Sequence, residues 1–161
     1  MRQFQSLLLP AILFNFSTLA SANEMDGKWV SVSRISAGVQ QMTLPAYAVI
    51  KDGKFNTERE GKLSELGNIS ETTTTPINHY NVEMTGEVEL SGKSFHGIFA
   101  VSGDTMFTCV NPEPSGDRPT AFSSTKDNGN VLIVWMRKET LAKLNAMKKP
   151  MAADAQKTKS E

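Results

Sequence analysis

Between Ile77 and Thr85 the chain alternates: Tyr80, Val82 and Met84 fall on one side of an extended segment, and His79, Asn81 and Glu83 on the other. A period of two belongs to a strand with one buried face and one wet face. Similar short runs recur along the chain, each closed by turn residues. Lys28–Ile35 is rich in β-branched side chains, which fit a pleated surface. Tyr47–Lys51 and Lys54–Glu60 flank Asp52-Gly53, and Asp-Gly between two extended runs is a strong hairpin signal. Leu66–Thr74, Lys93–Val101 and Asp104–Val110 read as further strands, with Gly86–Gly92 a short strand or a turn. Val131–Arg137 is apolar on both faces, so both must be covered. Such a series predicts an all-β domain, an antiparallel barrel or a sandwich. Closure into a barrel of about eight strands removes exposed edges and leaves an interior for side chains or one small ligand.

The ends of the chain differ from this body. Residues 1–22 carry Arg2 as their only charge, an apolar stretch from Leu7 to Phe16 interrupted by Pro10 and Asn15, and then Ala20-Ser21-Ala22. A positive start, a short apolar middle and small residues at a cut are the layout of a secretory signal peptide. The stretch falls short of the ~20 mostly apolar residues of a membrane-spanning helix, and no second stretch approaches that length. The expectation is export, to a periplasm or outside the cell, after cleavage near Ala22. The mature chain then holds a barrel domain over 23–138, with no transmembrane segment, and a tail over 139–161. In the tail, Glu139–Lys149 has good helix formers, and Pro150 is expected to stop the helix. From Lys138 to Glu161 there are six Lys against three acids, which reads as a solvated helical or disordered tail. Contact with an anionic surface is the sharper alternative.

Composition removes several function classes. The 161 residues carry 17 Lys+Arg and 17 Asp+Glu, a formal charge of zero, without the basic footprint of a nucleic-acid binder. Cys109 is the only cysteine, which excludes an intrachain disulfide framework and a Cys-rich zinc module.

Gly27-Lys28-Trp29 opens the first strand and Arg137 closes the last. This resembles the G-x-W signature of lipocalins and the basic residue of their final strand, where the indole lies across the closed end of the barrel with the cation over it. Asp52-Gly53-Lys54-Phe55, Gly97-Ile98-Phe99, Gly103-Asp104-Thr105-Met106, Thr108-Cys109-Val110 and Arg118-Pro119-Thr120-Ala121-Phe122-Ser123-Ser124 follow in order. The series looks like a family of short exported lipocalin-like (calycin-type) domains abundant in planctomycetes, and the resemblance spans about Asp26 to Lys138. It implies a fold rather than an activity, with structural roles for Gly27, Trp29 and Arg137. The chain departs from the family pattern over Leu63–Thr75, which is Thr-rich, and in its charged tail.

No arrangement of residues points to catalysis, a metal or a cofactor. His79 and His96 are the only histidines, and they lie on different strands without the local ligand spacing of a zinc site. Cys109 sits mid-strand, where a packed thiol is expected rather than a nucleophile activated by a nearby cation. No nucleophile elbow, metalloprotease helix, phosphate loop or calcium loop is present. The long segment Asn111–Asn130 holds Pro112, Pro114, Gly116, Pro119 and Gly129. Either Arg118 and Asp117 contact a ligand at a barrel mouth, or the loop is a structural clamp in which Pro119 stiffens the turn while Phe122 plugs the barrel or packs on its outside. The leading expectation is an exported, non-catalytic binding module. Trp29, Phe95 and Phe107 would line a small cavity for an apolar or amphipathic molecule, with Arg118 nearby. The alternative is an envelope interaction module with a solid core, binding protein or polymer through its loops or tail.

Overall fold

A computed structural model describes residues 24–42, 45–59, 62–72, 74–86 and 89–157. The proposed signal segment, residues 1–22, lies outside them. Nine strands form in chain order: β1 (Gly27–Ser36), β2 (Val39–Gln40), β3 (Tyr47–Lys51), β4 (Lys54–Arg59), β5 (Lys62–Thr72), β6 (Asn78–Met84), β7 (Ser94–Ser102), β8 (Thr105–Val110) and β9 (Val131–Arg137). A helix, α1 (Lys138–Lys157), follows.

All pairings are antiparallel, and each strand from β3 onward pairs with its sequence neighbour. β1 closes the sheet. It pairs with β3 over Gly27–Val30 and with β9 from Trp29↔Arg137 to Ser36↔Val131. β2 is a short flap folded back on the end of β1. The result is a closed eight-stranded antiparallel barrel with an added two-residue strand. Closure satisfies the backbone groups that an edge would leave unpaired.

Local chemistry explains the order. Asp52 and Gly53 both have positive φ, +50° and +74°, the conformation that joins two twisted strands by a two-residue turn. Tyr80, Val82 and Met84 face inward, as their alternation requires. Inside the barrel the Tyr80 ring lies over Gly97, where a Cβ would come within 2.3 Å of its carbons. No residue of β9 is exposed, consistent with its two apolar faces. Among the described residues, 89–92 form a turn rather than a strand. β5 begins at Lys62, four residues before the expected Leu66, and so takes up much of the Thr-rich departure.

The helix runs through Pro150 instead of stopping there. A proline removes one i→i−4 bond and crowds the preceding turn, and here Ala, Met, Lys and Gln, all good helix formers, flank it on both sides. The helix packs on β1 and β9. Lys138 pairs with Glu58 at 2.8 Å, its ammonium stands 5.8 Å from the Tyr47 ring centroid, and the Thr140 hydroxyl donates to Asp104 at 2.7 Å. The bond from Lys138 holds the Glu58 carboxyl below its ordinary range. No described helix is long and apolar enough to cross a membrane.

Candidate functional site

One end of the barrel is sealed by the first strand and the segment before it. Trp29 and Arg137 are direct cross-strand partners. The guanidinium lies over the indole at 3.9 Å from the ring centroid, a cation–π contact in which the charge keeps some water. Arg137 also donates to the Asp26 carbonyl, and the Trp29 indole N–H donates to the Met25 carbonyl at 2.7 Å. Gly27 is required here: its φ is +142°, and a Cβ would sit 1.6 Å from Arg137 Nη1, in the place the guanidinium occupies. Met25, 2% exposed, projects into the base of the barrel.

Glu71 belongs to the same end. Its carboxylate accepts a hydrogen bond from the Met25 backbone N–H at 3.3 Å. Burial raises the carboxyl pKa to about 7, the Met25 bond opposes this, and the nearby charges of Asp26 and Glu24 add to the rise.

Above this plug the barrel is hollow, with a cavity of about 380 Å³. Inward residues from every strand of the barrel line it, among them Ala48 and Ile50 on β3, Phe55 on β4, Ile69 on β5, Val82 and Met84 on β6, and Ile133 and Trp135 on β9. The wall is predominantly apolar. Its buried polar groups are satisfied within the protein. The Trp135 indole donates to the Thr108 hydroxyl at 2.8 Å. Burial pushes the Tyr80 phenol far above its ordinary range, so it remains neutral. The Asn111 side chain accepts from Glu113 N and donates to the Asp117 carbonyl, each at 3.0 Å.

The expected ligand-lining residues separate in space. Phe95 lines the cavity. Trp29, 1% exposed, is inside the barrel but lies in the sealed end rather than in the cavity wall. The expectation for Phe107 does not hold. It is 37% exposed on the outer face, paired with Ala100 and Val134, because its neighbours Met106 and Thr108 take the inward positions of β8.

Arg118 is a clamp on the outside of the wall. Its Nη1 donates to the carbonyls of Tyr80 at 2.7 Å and Gly97 at 2.5 Å, and its Nη2 to Asn81 Oδ1 at 2.6 Å. It also borders a hollow within its own long loop, together with Asn128 and Asn130, but three of its donors are already committed to β6 and β7. Ser115 N to Ser94 O at 2.7 Å and His96 Nδ1 against Gly116 O at 3.1 Å pin the same loop. Beneath it Cys109 is fully buried, its thiol 3.5 Å from the Ser123 carbonyl, and desolvation raises its pKa. Such a thiol is inert rather than nucleophilic. Among the described residues no group of three or more His, Cys, Asp or Glu comes together as a metal site.

Two inward residues, Arg34 and Glu71, escaped sequence reasoning. Glu71 was within reach of it, since Ile69 and Glu71 share a strand face. Arg34 was not, because it turns inward only through an irregularity in β1.

Fold and cavity together define a closed antiparallel β-barrel with one sealed end and a hollow apolar interior. The chain matches no protein-family model, no curated protein and no solved structure.

Proposed function

We propose that the protein is an exported lipocalin-like carrier that holds one small apolar or amphipathic molecule inside its barrel and performs no chemistry on it. The observation that carries this reading is the apolar cavity of about 380 Å³ above a sealed end. That size is within the range of about 300–1,000 Å³ usual for small-molecule sites. An apolar cavity with satisfied polar groups gains free energy by taking up apolar surface from water, at roughly 25 cal/mol per Å² before the costs of association. A hollow interior also favours a carrier over an interaction module with a solid core. The Trp29–Arg137 pair across the sealed end supports the lipocalin-like assignment, which rests on the motif series rather than on any relative.

Native mass spectrometry of the protein purified from its own secretory route tests the reading. The expected result is a population heavier than the bare chain by one small molecule, which organic extraction releases. Bare chain alone, together with no uptake from a panel of apolar compounds, overturns it.

A further inference from the structure

The cavity wall contains one charged residue, Arg34, and no Asp or Glu among the described residues. Its position there is built by the backbone. Along β1 the partners of Trp29 and Ser31 on β9 are Arg137 and Trp135, two apart as an even ladder requires. The register then shifts between Ser31 and Ser33, so that Arg34 pairs with Ile133 and Ser36 with Val131, both cavity-lining residues. An unbroken ladder would have put Ser33 and Ile35 on the inner face. The bulge sends Ile35 outward and brings an arginine in. Bulges re-aim side chains and are frequent at barrel rims and beside functional sites.

An apolar residue was available for that wall and the fold presents a cation instead. Arg34 is exposed and borders the cavity at the end of β1 away from the Trp29–Arg137 pair, which is the mouth. The ion pairs among the described residues are Lys54–Glu65 and Lys138–Glu58, so Arg34 belongs to neither, and no described side chain accepts from it. Asn111, Thr108 and Trp135 of the wall are taken up by internal bonds, which leaves Arg34 as the charged group that the described wall offers to a ligand.

We infer that the ligand is a single-chain amphiphile with a carboxylate head, the carboxylate paired with Arg34 at the mouth and the chain running down toward Met25. This rests on the carrier reading and specifies its ligand class. A guanidinium matches a carboxylate in a two-pronged geometry, and a charge-assisted bond is roughly twice as strong as a neutral one.

Calorimetric titration of the purified protein at pH 8 with dodecanoate and with dodecanol, a neutral molecule of the same length, tests the inference. The expected result is about tenfold tighter binding of the acid, the scale of one charge-assisted hydrogen bond. Arg34→Gln should lower acid affinity to that of the alcohol and leave the alcohol unchanged, whereas Arg34→Lys should keep part of the preference. Equal binding of both molecules to the wild type, or a preference that survives Arg34→Gln, overturns the inference and leaves the carrier reading standing. Binding of neither molecule also overturns the inference, and the carrier reading is then decided by native mass spectrometry and the panel of apolar compounds.

Discussion

Glu71 shows how a single residue can tie the sealed end to pH. In an unfolded chain its carboxyl titrates near 4.5, whereas in the folded protein burial brings it to about 7. Below the first value both states hold the proton, and burying the group costs nothing electrostatic. Between the two, the unfolded chain has released its proton and the folded chain has not, so stability falls as pH rises. Above about 7 the folded protein carries a partly buried carboxylate and the penalty is complete. Glu71→Gln keeps an oxygen for the Met25 N–H and cannot ionise. Urea unfolding at pH 4.5 and pH 8 should therefore show the variant gaining on the wild type by about 1–2 kcal/mol between the two, a figure reduced because the carboxyl retains part of its hydration. A constant difference across that range would contradict this assignment. The neighbouring trio of Gly27, Trp29 and Arg137 is steric as much as electrostatic, because the glycine leaves the space that the guanidinium fills.

At the scale of elements, the barrel is governed by pairing rules and the Asn111–Asn130 loop by individual hydrogen bonds. Arg118 joins the loop to the β6–β7 wall through three bonds, and the fully buried Cys109 lies beneath the same segment. Arg118→Met keeps the aliphatic stem and removes all three. The loop should then open locally while the barrel stays folded. Reaction of Cys109 with a soluble disulfide reagent under native conditions should accelerate about tenfold or more, corresponding to a local opening easier by about 1.4 kcal/mol. An unchanged rate would mean that the loop is held by other contacts. Strand identities were legible where alternation was clean: Tyr80, Val82 and Met84 face inward, and the two apolar faces of β9 are both covered. A structural clamp was one of two open readings of this loop, but through Pro119 and Phe122; that Arg118 holds it was not legible, since an arginine between Asp117 and Pro119 gives no sign of which carbonyls it will meet. The bulge that turns Arg34 inward depends on the register of β1 against β9, a non-local pairing without a local signature. The helix through Pro150 is a local rule overridden by its good helix-forming neighbours.

For the whole molecule, closure was legible because a Gly-x-Trp at the start of the first strand and an arginine at the end of the last can meet only if those strands adjoin. Hollowness was not, since it depends on how inward side chains from eight strands sum in volume. Ala48 is a small side chain in that wall, whereas the space beside Gly97 is taken by the Tyr80 ring and that beside Gly67 by the Glu83 backbone. A closed barrel with a sealed base should admit one chain from one side. Trp135 lines that space, and Trp29 lies in the base below it. Bromine quenches indole fluorescence only at contact range, so titration with ω-bromododecanoate reports occupancy of the interior directly. The account predicts saturable quenching of tryptophan emission that is complete at one equivalent and reversed by unbrominated dodecanoate. Quenching that rises linearly without saturation, as for indoles meeting a quencher in free solution, would contradict it.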